Sequence, residues 1–376
     1  MRAAICYELG RELVVEEVET PPTGHGQVRV RTAATAICHS DLHVINGEID
    51  GPTPPFIGGH ETAGIVDAVA GDVGTLTPGD RVIVTFLRWC GRCGACMTGA
   101  HNLCERRQPD LARLQTESGR SAVAALNMTG FAEYVIADQS QCIRVPADVP
   151  LEAACLLACG ALTGLGAVLN TARVAPGESV AVIGTGGVGL GAIQGSRIAS
   201  AYPVIAVDVV AAKLVAAKSF GATEGVNSAE EDPVAAVRRI TSGRGVDYAV
   251  VAVGDPRAMS QAVQMVGTRG TVVIVGVLGS SVTVPVSMFD LLVSERRIVG
   301  SFMGSIRPGL DIPRFVELYR RGQLRLDEMI SGYFDLDDIN EAIKSARDPT
   351  SIRSLIVFDG PANRGRARAD TRSVRA

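Results

Sequence analysis

The sequence opens without a long apolar run. MRAAICYELGRELVVEEVE carries charge throughout, so no secretory signal is expected there, and a reducing, cytoplasmic setting is. Internal repeats are missing. So is any excess of positive charge: the net charge is −4, from 36 basic and 40 acidic side chains, whereas a nucleic-acid-binding domain is usually basic. Residues 361–376 hold five arginines and one aspartate, a balance of +4 that leaves −8 on the rest of the chain. That end reads as a disordered basic tail. A membrane span is not expected either. Thr271–Phe289 lacks charge over close to the ~20 residues a span requires. It holds Gly276, Gly279, Pro285 and five Ser/Thr residues, however, and TVVIVGV followed by LGSSV reads as a buried strand running into a loop.

What is present is a chain of 376 residues, 47% apolar, with 42 glycines. At roughly 150 residues per domain it forms two domains, or three. The first 150 residues or so are rich in β-branched runs, QVRVRTAATAI, ETAGIVDAVA and DRVIVTF, separated by Pro/Gly-rich turns. From about residue 160 the rhythm changes to strands alternating with helical stretches, SVAVIG, VIAVD, DYAVVAV and TVVIVGV being the strands. This alternation implies an α/β fold with a parallel, doubly wound sheet. Helices at 311–321 and 335–346 and a final strand, SIRSLIVF, close the chain. Residues 105–128 read as a polar, irregular surface loop.

GTGGVG, from Gly184 through Gly186, Gly187 and Val188 to Gly189, follows a strand and opens a helix. The next strand ends in Asp208, 19 residues beyond Gly189. This is the context that makes G-x-G-x-x-G a dinucleotide fingerprint: glycines for the turn and close approach, and free N–H groups at the helix start for the pyrophosphate. Asp208 suits both ribose hydroxyls and repels a 2′-phosphate, and no arginine stands beside it in sequence, so NAD is expected over NADP. Lys213 reads either as a ribose contact or as an exposed helix lysine. The bland alternative is the same fold binding another nucleotide or none.

Nine cysteines cannot all pair within one chain, and in a reducing setting clustered cysteines bind metal more often than they form disulfides. Cys90, Cys93, Cys96 and Cys104 lie in WCGRCGACMTGAHNLC. Four thiolates on one short loop can close a tetrahedron around a structural zinc ion, with no position left for substrate. Two local disulfides are the alternative. Cys38 in CHSDLH and His60 in GGHE come from distant segments, and locally they read equally as a core thiol and a loop histidine.

CHSDLH, GGHE, the four-cysteine loop, LLACGALTGLGA, GTGGVG with Asp208, and SIRSLIVF stand in one order. In that order they resemble the zinc-dependent medium-chain alcohol dehydrogenases, from residue 1 to about 358. The resemblance implies a GroES-like, β-rich catalytic domain (1–160 with a return segment at 303–360), a Rossmann coenzyme domain (161–302), and an active site in the cleft between them. It implies two zinc ions per chain, the catalytic one held by Cys38, His60 and Cys159, as in the alcohol dehydrogenase example that general zinc chemistry uses. Zinc would act as a Lewis acid on an alcohol or aldehyde oxygen while hydride passes to or from NAD. Ser40 would start a proton relay that runs through the nicotinamide ribose to His43. Asp41 would orient His60, and Glu61 would lie beside the metal. His39 and Arg353 would contact the pyrophosphate, and Val253, Val275 and Val277 would support the nicotinamide. Ile49 and Phe86 would line an apolar substrate channel, which favours a primary alkyl or aryl alcohol. Members of the family pair through their coenzyme domains, so a homodimer or homotetramer is expected. The competing functions are a polyol or thiol-adduct aldehyde dehydrogenase, and a non-catalytic nucleotide-binding protein on the same fold.

Overall fold

The computed structural model describes residues 1–20, 22–106 and 114–358. The basic tail at 361–376 and positions 107–113 of the expected 105–128 loop lie outside the described residues. The chain divides into two compact units. The first comprises Met1–Cys159, Arg307–Gly322 and the chain from Leu326 on; the second comprises Gly160–Ile306 and Gln323–Arg325.

The first unit starts with β1 (Arg2–Cys6), β2 (Val14–Glu17), β3 (Gln27–Ala36), β4 (Phe56–Ile57), β5 (Glu61–Val69) and β6 (Arg81–Thr85). Then come β7 (Leu114–Gln115), β8 (Ser121–Ala124), β9 (Tyr134–Asp138) and β10 (Cys142–Arg144). The second unit contributes β11 (Val180–Ile183), β12 (Val204–Asp208), β13 (Glu224–Asn227), β14 (Val246–Val251), β15 (Val266–Ile274) and β16 (Arg297–Gly300). The chain then returns to the first unit for β17 (Ile330–Phe334) and β18 (Arg353–Val357).

In the first unit one sheet runs β2-β1-β4-β8-β7 and the other β10-β6-β5-β3-β18-β17, with β9 also on β3. β3 shows why these segments are strands. Val28, Val30, Thr32 and Ala34 alternate inward with period two, and each is buried. Its ten-residue length lets this one strand pair β5, β9 and β18, while its inner face meets Val66, Val82, Val84 and Val135. The second core gathers Ile5, Phe56, Ile57 and Phe131 under the helix Ile339–Arg347, which presents Ile339, Ala342, Ile343 and Ala346 at helical spacing.

Residues 114–128 correct the irregular-loop expectation. They form the antiparallel pair β7–β8, β8 joins β4 in parallel, and Leu114, Ala122 and Met128 are buried. Two- and four-residue strands are too short to show an alternation in sequence.

The second unit is a six-stranded, wholly parallel sheet in the order β13-β12-β11-β14-β15-β16. β11 and β12 are buried along their full length, as expected for strands covered by helices on both faces. The uncharged 271–289 segment runs from β15 into a loop and the start of the helix Met288–Ser294. Among the described residues no single helix is long and apolar enough to cross a membrane.

Candidate active site and nucleotide site

The first site is built around the helix His39–Asn46. Leu42 and Ile45, one turn apart, sink into the Phe56/Phe131 core. His39, Ser40, His43 and Asn46 are left on the less buried side. Cys38 caps the helix in an extended conformation, and the buried Asp41 reaches back to accept its N–H at 3.2 Å. The same carboxylate accepts from Gly59 N–H at 3.0 Å and lies 2.9 Å from His60 Nδ1. With the Nδ1 proton given to Asp41, His60 Nε2 is left as a lone-pair donor.

Cys38, His60, Glu61 and Cys159 converge: their ligand atoms all lie within 4.8 Å of one another, and all four residues are buried. Two thiols, an imidazole and a carboxyl group suit a borderline-soft divalent ion such as zinc. The Phe86 ring meets His60 edge-on, with centroids 5.5 Å apart. Arg353 Nη2 lies 3.4 Å from Glu61 Oε1, both side chains being almost fully buried. The guanidinium read in sequence as a phosphate contact is thus engaged by Glu61. Burial pushes the Glu61 carboxyl up to about 8, against the pull of Arg353. The Cys38 thiol is held well below its usual range, first by a hydrogen bond with Cys159. Ile49 packs against the first sheet's core.

Cys90, Cys93, Cys96 and Cys104 form the second cluster, again with ligand atoms within 4.8 Å. All nine cysteines are free thiols, and Cys93 Sγ is 3.9 Å from Cys104 Sγ, so there are no local disulfides here. Backbone amides point at the sulfurs: Cys90 and Arg106 N–H donate to Cys104 Sγ at 3.4 Å, and Cys96 N–H donates to Cys93 Sγ at 3.5 Å. Such donors favour thiolates and so favour metal. Trp89 flanks the lobe, stacked on His101 with centroids 4.5 Å apart and donating its indole N–H to Ser140 O at 3.0 Å.

In the second unit, Gly184 stands at φ +86, where a side chain would be strained and a Cβ would come 2.1 Å from Val253 Cγ1. A Cβ on Gly189 would lie 1.8 Å from Gly184 O, so the helix Gly187–Ile198 sits on the turn only because both are glycine. Gly186 caps that helix without a side-chain hydrogen bond. Asp208 Oδ2 accepts from Thr185 N–H and Oγ–H at 2.7 and 2.9 Å, and Oδ1 accepts from Val210 N–H at 3.0 Å. A cavity of about 370 Å³ opens here, its walls including Gly184, Asp208, Ser228, Val253, Asp255 and Arg257. No arginine stands beside Asp208 in sequence, but Arg257, 49 residues along the chain, shares the cavity with Asp208, its Nη2 3.5 Å from Asp255. Lys213 lies in the first turn of the helix Ala211–Phe220 and is not among the residues that line the cavity. Val275 N–H donates to Val251 O at 3.0 Å, and Val277 is exposed.

Residues 24–147 match the alcohol dehydrogenase GroES-like domain family and residues 187–320 the zinc-binding dehydrogenase family. The chain is 36% identical over 373 residues to the class-P alcohol dehydrogenase of Arabidopsis thaliana, covering 95% of this chain and 97% of the relative. It is 34% identical over 367 residues to the S-(hydroxymethyl)glutathione dehydrogenase of Synechocystis, covering 95% and 99%. The solved benzyl alcohol dehydrogenase of Acinetobacter calcoaceticus superposes with a TM-score of 0.87 at 32% identity, covering 95% of this chain and 99% of that one.

The two donor clusters predict two zinc ions per chain by elemental analysis. Cys38→Ala removes one and Cys93→Ala the other; a protein that holds a single ion and keeps it in Cys38→Ala contradicts the first cluster's assignment.

Proposed function

The chain belongs to the zinc-dependent medium-chain dehydrogenases of the alcohol dehydrogenase type, and we propose that it interconverts a primary alkyl or aryl alcohol and its aldehyde with NAD. The observation that carries this reading is the convergence of Cys38, His60 and Cys159 beside Glu61. When bound, zinc supplies a Lewis acid for the alcohol oxygen and the nicotinamide takes up the hydride. The protein's own groups do the rest. Cys38, His60 and Cys159 would hold the ion, and Asp41, by engaging His60 Nδ1, leaves Nε2 as the nitrogen available to it. Ser40 and His43 share the free side of one helix and handle the proton released from the alcohol hydroxyl, Ser40 Oγ first and His43 after it. Phe86, edge-on against His60, gives the donor cluster an apolar neighbour, which suits an uncharged alkyl or aryl group.

For the cofactor, the carboxylate of Asp208 disfavours a 2′-phosphate, while Arg257 in the same cavity is offset by Asp255. The balance favours NAD. A second reading, oxidation of a thiol adduct of formaldehyde, draws on the Synechocystis relative.

The assembly we propose is a homodimer through the second unit, a tetramer being a pair of such dimers. The helix Met288–Ser294 exposes Met288, Phe289, Leu292 and Val293, each by more than half. It precedes β16, an edge strand of the sheet. An unpaired edge beside an apolar patch invites a partner, and the same edge on a second copy is self-complementary.

A panel of alcohols that includes S-(hydroxymethyl)glutathione, read by NADH absorbance, should show benzyl and linear primary alcohols ahead of the adduct; turnover of the adduct alone refutes the alcohol reading. Asp208→Asn removes the charge but keeps an acceptor for Thr185. The NADP/NAD ratio of kcat/KM should rise about tenfold, the scale of ~1.4 kcal/mol of repulsion; an unchanged ratio sinks the role of Asp208. Leu292→Asp should halve the mass measured by light scattering, or reduce it further from a tetramer.

A further inference from the structure

The helix His39–Asn46 ends at Gly47, whose left-handed backbone (φ +72) turns the chain sharply. The turn folds Glu48 back onto the helix, its N–H donating to His43 O at 2.8 Å. Glu48 Oε2 then lies 2.5 Å from His43 Nδ1. Its other oxygen accepts from Asn46 Nδ2 at 2.8 Å, and Asn46 Oδ1 accepts from Arg347 Nη2 at 3.0 Å. The alcohol dehydrogenase reading so far uses His43 but not Glu48, Asn46 or Arg347.

We propose that Glu48 is the positioning residue of the proton-handling histidine: its carboxylate takes the Nδ1–H of His43, fixes the tautomer and leaves Nε2 to accept the proton that leaves the alcohol. The proposal rests on the role given to His43 above. A neutral imidazole has one N–H and one lone pair, and the hydrogen bond made at one nitrogen decides which function the other performs. A carboxylate at Nδ1 settles that choice, and it stabilises the imidazolium formed when Nε2 takes a proton. Stability is a poor reason for the pair. Both side chains are partly exposed, 33% for His43 and 51% for Glu48, and exposed ion pairs contribute little to folding. The charged groups facing Glu48 are His43 on its own turn and Arg347 from the helix Ile339–Arg347, and with Asn46 they hold its carboxyl below the usual range, the hydrogen bond to His43 first. Glu48 is therefore ionised near neutral pH. Asn46 and Arg347 restrain its second oxygen, so the carboxylate is aimed and not free to rotate away.

The test needs a readout that does not depend on turnover. The chain has five histidines, so ¹³C-labelled imidazole signals are countable, and the one lost in His43→Gln is His43. In the zinc-loaded protein Glu48→Gln should move the titration of the His43 signal to lower pH by about half a unit, the scale of a partly exposed ion pair, and Glu48→Asp should restore part of it. In alcohol oxidation the neutral imidazole is the active form, so kcat rises with pH through the His43 pKa. Glu48→Gln should move that rise to lower pH by the same amount. It should also cut the plateau about tenfold, a part of the 10²–10⁴ that general bases supply, with KM for alcohol unchanged. The double variant His43→Gln/Glu48→Gln should be no slower than His43→Gln alone. An unchanged His43 titration in Glu48→Gln, or additive losses in the double variant, overturns the proposal and leaves the role of His43 standing. A pH profile unaltered in His43→Gln removes that role and the proposal with it.

Discussion

The Asp41 carboxylate is 2% exposed and accepts three hydrogen bonds, from Cys38 N–H, Gly59 N–H and His60 Nδ1–H. A buried carboxylate is costly unless its oxygens are satisfied, and these three donors come from two of the segments that supply the clustered donors Cys38, His60 and Glu61. The interaction therefore does two things at once. It fastens the start of the helix His39–Asn46 to the entry of β5, and it points His60 Nε2 at the thiols of Cys38 and Cys159. Around it sit two thiols, a second carboxyl group on Glu61, and one guanidinium, Arg353, brought in by the strand β18. Acid groups outnumber the single fixed cation. Glu61 accordingly rises to about 8 through burial, and the Cys159 thiol is pushed well up by its hydrogen bond to Cys38 and by burial. The Cys38 thiol is held low while Glu61 and Cys159 are held high, and a divalent cation would offset the negative charge the set carries once its protons leave.

The helix that begins at Cys38 divides apolar from polar side chains by its faces. Leu42 and Ile45 are committed to the core, and this fixes the helix about its own axis. Ser40 and His43 then project together from the less buried side, three residues apart. Apolar packing behind the helix thus sets where the polar groups stand. The left-handed Gly47 adds the last constraint, returning the chain so that Glu48 meets the ring it has just passed.

Features written into contiguous residues were legible in the sequence. The four-cysteine loop is one short segment whose spacing alone allows a tetrahedron, and GTGGVG with Asp208 is a strand–turn–helix–strand unit. The parallel sheet announced itself through its alternating strand and helix rhythm. Cys38, His60 and Cys159 were a different matter, since no spacing rule joins segments that the fold brings together; only the likeness to a family suggested it. Arg257 escaped notice because its approach to Asp208 depends on the turn after β14, and Glu48 because a five-residue separation becomes a contact only through the φ of Gly47. For Arg353 the resemblance implied a phosphate contact; its ion pair with Glu61 depends on β18 and was not legible in the sequence. Leu114–Met128 was misjudged because strands of two to four residues carry too little pattern.

Asp208 joins cofactor choice to loop shape. One of its oxygens is occupied by both the N–H and the hydroxyl of Thr185, a residue inside GTGGVG itself, and the other by Val210 N–H. The carboxylate that would meet a ribose therefore also holds the turn that would meet the pyrophosphate. Its charge and its hydrogen bonds are separable in principle, because an amide keeps an acceptor while losing the charge. Removing the side chain altogether would release Thr185 and disturb the close approach between Gly184 and Gly189. Arg257 stands on the same cavity without any part in the turn. Selectivity for the adenosine end can therefore vary at Arg257 at little structural cost, whereas at Asp208 it is tied to the geometry of the glycine loop.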